Sequence, residues 1–93
     1  MKVFAVRDSA LGEYLNPFVA PTAEFAIRTF KDQVNSSDCP INAHPEDYEL
    51  FELGLFDTTT GLIASHQAPM SISRAKDVVA PPAQGQLRLA AAN

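Results

Sequence analysis

The chain has 93 residues, which is enough for one small domain with a modest hydrophobic core. It carries 7 lysines and arginines against 11 aspartates and glutamates, so its net charge of −4 argues against a general nucleic-acid coat protein, although it is compatible with a local basic patch. Its one cysteine, Cys39, excludes an internal disulfide and fits a reducing cytosol, and we find neither a signal-peptide pattern nor an apolar run of the roughly 20 residues that span a membrane.

The first 21 residues predict a strand followed by an irregular connection. Residues 2–7 alternate so that Phe4 and Val6 face a core and Arg7 lies on the other side. Residues 9–21 carry several large apolar side chains, but a glycine and two prolines argue against a long helix. We expect one short helical turn there, followed by an extended segment packed on the body of the domain.

Residues 22–36 predict the main helix. Thr22 is suited to the N-cap because its hydroxyl can accept a hydrogen bond from a free backbone N–H of the first turn. The apolar residues recur at helical spacing and form one stripe, which Phe25 and Ala26 widen. The stripe consists of Ala23, Ile27, Phe30 and Val34.

A polar loop, residues 37–46, separates this helix from the principal strand, residues 48–56. The strand is apolar on both faces, which predicts a central strand or one covered on part of its second face. Residues 57–61 have the composition of a hairpin loop, and residues 62–66 then form the returning strand. One face carries Phe51, Leu53 and Leu55, and the other carries Tyr48, Leu50, Glu52, Gly54 and Phe56.

Pro69 ends the returning strand in this prediction, and residues 70–79 are ambiguous, with Ser71 or Ser73 able to cap a single helical turn. Residues 80–93 are rich in proline, alanine and glutamine and are typical of a flexible tail. We therefore predict one domain, residues 1–79, followed by that tail.

The predicted fold is a small α+β domain of the β-α-β-β type, a three-stranded sheet with one packed helix. If the first two strands are parallel, the helix is a right-handed crossover. The second sheet face must be covered by residues 9–20, by residues 68–79 or by a second subunit, and the last possibility predicts a homodimer. The predicted core consists of Phe4, Val6, Ile27, Phe30, Phe51 and Leu53.

The sequence contains no pattern that indicates catalysis, so we expect no enzymatic activity, cofactor, metal or small-molecule substrate. His44 and His66 lack the spacing of zinc ligands. There is no nucleophile elbow and no glycine-rich phosphate loop. Four acidic residues lie close together and are interpreted as a solvated edge that protects a strand against unwanted pairing, namely Glu46, Asp47, Glu49 and Glu52.

Basic and aromatic residues suggest a site for single-stranded DNA. Cations neutralise phosphates, and exposed aromatic rings stack on unpaired bases. In this hypothesis the acidic edge faces away, because carboxylates repel phosphates. The alternative is that the basic residues only solvate the helix and the aromatic residues belong to the core. The candidate residues are Arg7, Tyr14, Phe18, Arg28 and Lys31.

Residues 44–57, His-Pro-Glu-Asp-Tyr-Glu-Leu-Phe-Glu-Leu-Gly-Leu-Phe-Asp, resemble the small nonstructural protein of gokushoviruses, single-stranded DNA phages of the microvirus group. The resemblance continues upstream through residues 2–8, 16–18 and 26–30, and covers residues 1–78 in the same order. It implies a protein that is not part of the virion and acts in the cytoplasm of the infected bacterium.

The resemblance further implies a regulator of viral genome replication that favours single-stranded genome synthesis and packaging. Its partner would be single-stranded DNA or the replication-initiation complex. An alternative is a protein-interaction module that binds a phage or host replication protein without contacting DNA, and a third is an assembly factor. Function resides in sites and not in folds, so the structure of the candidate site bears on these alternatives.

Overall fold

The computed structural model describes residues 1–80, which form an antiparallel sheet with one main helix packed on one face. The predicted α+β class is therefore confirmed. The strands are β1 (Lys2–Asp8), β2 (Glu13–Tyr14), β3 (Phe18–Ala20), β4 (Tyr48–Phe56) and β5 (Ile63–Arg74). The helices are α1 (Ala23–Val34), α2 (Pro40–Ala43) and α3 (Ala75–Val78), and a 3₁₀ turn spans Pro45–Asp47.

The sheet has five strands rather than the predicted three. Its order is β2-β1-β4-β5, and β3 also pairs with β1, alongside a different part of that strand from β2. Every pair of neighbouring strands within residues 1–80 is antiparallel, including β1 with β4. A right-handed crossover helix would require these two strands to be parallel, so α1 is not one. No helix within this range is long and apolar enough to cross a membrane.

The two additional strands come from residues 9–21, where one helical turn followed by an extended segment was predicted; β3 matches the extended segment, whereas a tight turn and β2 stand where the helical turn was expected. Asp8 directs this segment back along β1, because its carboxylate accepts hydrogen bonds from the N–H groups of Ala10 (3.0 Å) and Leu11 (3.3 Å). Gly12 completes the reversal with a φ of 73°, a conformation that glycine adopts without steric cost. The segment therefore adds edge strands to the sheet, and Leu11 stays exposed.

Helix α1 follows the prediction closely. Thr22 is the N-cap, and its Oγ1 accepts a hydrogen bond of 3.1 Å from the backbone N–H of Phe25. The helix buries Ala26, Phe30 and Val34, while Ile27 is half-buried and Phe25 is exposed. The buried side chains of the helix pack on a sheet face that presents Phe4, Val6 and Leu50.

The prediction of which face of β4 joins the core was wrong. Leu50 is fully buried in the core, whereas Phe51 and Leu53 are only half-buried. The register explains the difference, because Val6 lies opposite Leu50, and residues directly opposite each other on neighbouring strands share a face. Phe51 lies opposite Ala5 and therefore belongs to the sheet face away from α1.

Strand β5 is longer than predicted and continues past Pro69 to Arg74. Glu52 lies opposite Met70 and Gly54 lies opposite Ser65, so residues 66–69 form a bulge beside a single residue of β4. Proline lacks a backbone N–H, and it is tolerated there because a residue in a bulge of an edge strand does not have to donate a hydrogen bond to the neighbouring strand. The helical turn begins only at Ala75, and the predicted tail lies outside the described residues apart from Ala80.

Glu52 is a carboxylate buried on the helix side of the sheet. Its side chain is 6% exposed and lies 3.3 Å from Lys2 Nζ and 2.6 Å from His66 Nε2. Burial by itself would raise the pKa of Glu52, but the hydrogen bonds from His66 and Lys2 outweigh it and hold that pKa below its ordinary value. The bulge in β5 supplies the histidine, so this cluster joins three strands.

Because the pKa of Glu52 is lowered in the folded state, its ionised form stabilises the fold at pH values above the unfolded-state pKa of about 4.3. This contribution is lost as the pH falls through the lower pKa of the folded state. We expect Glu52→Gln to lower the free energy of unfolding by about 1–3 kcal/mol near neutral pH, and to reduce the loss of stability on acidification. Urea denaturation at neutral and acidic pH measures both. Glu13→Gln, an exposed strand position, is the control, and equal acid sensitivity of the Glu52→Gln variant and the wild type would contradict the expectation.

Candidate nucleic-acid interface

A row of polar and aromatic side chains crosses the sheet face opposite α1. The register pairs Arg7 with Tyr14 on one side and with Glu49 on the other, and Glu49 pairs in turn with Arg74. Cross-strand partners point to the same face, so four strands contribute to one line of neighbours. In spatial order the row is Tyr14, Arg7, Glu49 and Arg74.

Two aromatic rings and a guanidinium lie in contact at one end of this row. The Arg7 Cζ atom lies 5.9 Å from the centroid of the Tyr14 ring. The Tyr14 and Phe51 rings meet edge to face, with centroids 5.6 Å apart and planes at 72°. Tyr14 is 41% exposed and Phe51 is half-buried, so the pair presents apolar ring surface next to a cation.

The two arginines of the row are free of close ion pairs within residues 1–80, since no carboxylate there lies within 4.0 Å of either guanidinium. Glu49, between them, instead accepts a hydrogen bond from the Ser71 hydroxyl. Beside the row is a cavity of about 200 Å³ that Lys76 also lines. Arg7 and Arg74 are thus available to anions from solution.

The acidic residues were expected to face away from this site, but three of the four do not. Glu46, Asp47 and Glu49 line the same cavity as Arg7 and Arg74, while Glu52 is buried on the helix side. The reason is a long-range contact, in which the backbone N–H of Ser9 donates to the carbonyl oxygen of Asp47 at 2.8 Å and holds the 3₁₀ turn against the end of β1. Three cations and three carboxylates therefore share the cavity.

Tyr48 lines the cavity as well. Burial raises the pKa of the Tyr48 phenol, and the carboxylate of Asp8 raises it further. The phenol is therefore uncharged at neutral pH and adds no negative charge to the cavity.

The family model for the Phage ORF5 protein matches residues 1–78, which contain every strand and helix described above. The chain belongs to the Phage ORF5 protein family. No curated protein and no solved structure matches it. The match makes this a bacteriophage protein and includes the whole row from Tyr14 to Arg74.

Of the five residues predicted to contact DNA, the structure of this ORF5-family protein brings only Arg7 and Tyr14 together. Arg28 and Lys31 are exposed on α1, which covers the opposite face of the sheet. Phe18 packs against the core and stacks on Phe4, with ring centroids 5.7 Å apart. The predicted set is therefore divided between two faces of the molecule and the core.

Sequence reasoning missed Phe51 and Arg74. Phe51 lies two residues after Glu49 on β4, and this spacing places both side chains on the same sheet face. That face was assigned to the core from the sequence, so Phe51 was not considered as a binding residue. Arg74 was not assigned to β5 because Pro69 suggested that the strand ends earlier. Both residues become visible as neighbours of Arg7 only through the cross-strand register.

The 3₁₀ turn also brings together possible metal ligands on His44, Glu46 and Asp47, whose ligand atoms lie within 4.8 Å of one another. His44 and Glu46 are exposed and Asp47 is half-buried, and exposed acidic groups commonly lie this close without an ion. We therefore assign no metal site to these three side chains.

Proposed function

We propose that this protein is a nonstructural gokushovirus protein that acts in viral genome replication in the host bacterial cytoplasm. There it binds single-stranded DNA through the sheet face opposite α1, which carries the row from Tyr14 to Arg74 and is called the open sheet face below. The observation that carries the proposal is that Tyr14 contacts both the Arg7 guanidinium and the Phe51 ring, on a face that also presents Arg74. Binding there would favour single-stranded genome synthesis and packaging by holding the displaced strand.

The physical basis is the combination of stacking surface and cations. A single strand exposes the flat faces of its bases, and stacking on an aromatic side chain contributes about 1–3 kcal/mol per base. Sheets that present aromatic side chains bind unpaired bases in this way. In a duplex the base faces are covered by their neighbours, so the same surface favours single strands.

The resemblance to gokushovirus proteins supports the role in replication. The most specific part of that resemblance, residues 44–57, spans the 3₁₀ turn and β4. It therefore includes Glu49 and Phe51 of the open face.

A second candidate function is a protein-interaction module that binds a phage or host replication protein without contacting DNA. The observation that favours it is the charge balance of the cavity, where Glu46, Asp47 and Glu49 offset Arg7, Arg74 and Lys76. A surface of mixed charge suits a protein partner better than a polyanion. Binding of a single-stranded oligonucleotide at low salt separates the two functions.

Fluorescence anisotropy with a labelled single-stranded oligonucleotide tests the proposal. We expect binding at low salt that weakens steeply as salt rises, because bound phosphates displace counterions. Arg7→Ala/Arg74→Ala should weaken binding and flatten the salt slope by about 1.4, because each arginine neutralises one phosphate and each phosphate of a single strand contributes about 0.7 to that slope. Tyr14→Ala should cost about 1–3 kcal/mol of binding free energy.

The matched control is Arg28→Ala/Lys31→Ala, which removes the same two charges from the opposite side of the molecule. Unchanged binding in this variant supports the sheet face, whereas a loss confined to it would move the interface to α1. Absence of wild-type binding at low salt would leave the protein-interaction module as the better function.

We also propose that the protein is a two-fold homodimer. The other end of the open sheet face is apolar, and a cavity of about 210 Å³ there is lined by Val3, Val19, Phe56 and Ile63, among others. Ile63 is 65% exposed and Val19 is 47% exposed, a pattern that favours burial against another protein surface. A second copy would supply an identical apolar patch across a two-fold axis.

Analytical ultracentrifugation tests the dimer. We expect a dimer at micromolar concentration and a monomer when Ile63 is replaced with lysine, because a charge in an apolar interface must be desolvated. Leu11→Lys, at a site that is 67% exposed and remote from the patch, is the control. A wild-type monomer at high micromolar concentration would contradict the proposal.

A further inference from the structure

We infer that Glu49 gives the open sheet face a preference for bases that carry an exocyclic amino group, such as cytosine, over bases with a carbonyl at the same position, such as uracil and thymine. The inference rests on the single-strand binding proposed above and adds a base-reading residue to it. It explains why a carboxylate lies between two arginines on a surface that would bind a polyanion.

The position of Glu49 leaves it free to contact a ligand. It lies between Arg7 and Arg74 in the row, but within residues 1–80 neither guanidinium approaches it to 4.0 Å. The described residues give its carboxylate one hydrogen bond, from the Ser71 hydroxyl to Oε2. A carboxylate has about four acceptor positions, so Glu49 can accept further hydrogen bonds from a ligand.

The charge of Glu49 determines which part of the strand lies over it. Phosphates are attracted to Arg7 and Arg74 and repelled by the carboxylate between them, so the sugar–phosphate backbone passes to the sides of Glu49. A base edge is left as the group above the carboxylate. Neighbouring strands are about 4.8 Å apart, so the two arginines lie roughly 10 Å apart across β4, which leaves space for a base between them.

Phe51 places a base at the required distance. It follows Glu49 by two residues on β4 and lies on the same face, about 6.6 Å further along the strand. A base that stacks on the Phe51 ring therefore directs one edge toward Glu49, while the Tyr14 ring, inclined by 72° to Phe51, flanks that base. The stacking is indifferent to base identity, and the carboxylate supplies the discrimination.

The hydrogen-bonding chemistry sets the direction of the preference. Cytosine presents an N4 amino donor, and pairing of a glutamate or aspartate with that group is an established mode of base recognition. Uracil and thymine present a carbonyl oxygen at the same position. A carbonyl oxygen and a carboxylate both accept hydrogen bonds, so no hydrogen bond forms between them. A well-formed contact of this kind discriminates by about 1–3 kcal/mol, or about five- to 150-fold in affinity.

Anisotropy with two labelled homopolymers, oligo-dC and oligo-dU, tests the inference, because these bases differ only in the amino or carbonyl group at position 4 and its adjoining ring nitrogen. We expect the wild type to bind oligo-dC at least about fivefold more tightly. Glu49→Gln should reduce the difference to less than about twofold, since an amide can donate to the uracil carbonyl as well as accept.

Glu46→Gln is the matched control, since it removes the same charge from the edge of the cavity outside the row. It should raise the affinity for both oligonucleotides by a similar factor and leave their ratio unchanged. Equal wild-type binding of the two would overturn the inference and leave single-strand binding intact, whereas no binding of either would overturn the proposed function itself. A wild-type preference that persists in a folded Glu49→Gln protein would assign base reading to another residue.

Discussion

Replacement of Phe30 with alanine is expected to lower the free energy of unfolding by about 3–5 kcal/mol. The Phe30 side chain is fully buried where α1 packs on the sheet, in the same cluster as Phe4, Val6 and Leu50. Alanine would leave a cavity that the surrounding strands cannot fill, because their positions are fixed by the hydrogen-bonded ladder. Domains of this kind are stable by only about 5–15 kcal/mol, so the variant would lose a large part of its stability.

The control for this prediction lies on the same helix. Phe25 is 54% exposed, so Phe25→Ala removes an identical side chain from a site where most of the ring contacts water. It should change the free energy of unfolding by less than about 1 kcal/mol. Urea denaturation of the two variants compares them directly, and a loss below about 1 kcal/mol for Phe30→Ala would show that α1 buries a different face.

Helix α1 could be predicted because its determinants are local. The cap at Thr22 and the apolar stripe fall within one continuous segment, and periodicity alone identifies the buried face. Ala23 and Ile27 are half-buried and Phe25 is exposed, because these residues lie at the margins of the stripe or beyond it. The fold class followed from the same kind of reasoning applied to β1, β4 and the hairpin.

The errors concern contacts between different strands. Strand β4 is apolar on both faces, so alternation could not decide between Leu50 and Phe51, and the register with β1 decided it. A local error is the helical turn expected in residues 9–21, where the Asp8 turn instead lays β2 against β1. Both outcomes depend on pairing with β1, which alternation within a single segment does not reveal.

The sequence indicated which residue types the candidate site would combine, basic and aromatic, but only partly which residues lie together. Arg7 was assigned to the face away from the core, where the structure places it, and Tyr14, one of the two aromatic residues proposed for stacking, lies beside it. Arg28 and Lys31 were grouped with them by charge alone, although α1 covers the opposite face. An interface assembled across four strands requires the register, which is the reason that Phe51 and Arg74 were overlooked.

Gly54→Ala is expected to be the other strongly destabilising substitution, with a loss of about 3 kcal/mol or more. Gly54 is buried at the point where β4 and β5 resume pairing after the bulge. A Cβ atom there would overlap the backbone oxygen of Ala64 and lie 3.0 Å from the Cα of Ser65. Both obstacles are backbone atoms of the paired strand, so the hairpin would have to separate or shift its register to accommodate one methyl group.

Gly61→Ala separates this steric effect from the general cost of replacing a glycine. Gly61 has a φ of 79°, and beyond its own atoms and its two chain neighbours no heavy atom lies within 4 Å of the position a Cβ would take, so only backbone strain of about 1–2 kcal/mol is expected. Urea denaturation gives the two losses, and amide hydrogen exchange along β4 and β5 should increase locally in the Gly54 variant, since its damage lies in that ladder. If Gly54→Ala costs no more than Gly61→Ala, the two strands do not approach each other at Gly54 as closely as described. The bulge that positions His66 beside Glu52 would then have to be reconsidered as well, because the same stretch of β5 forms both contacts.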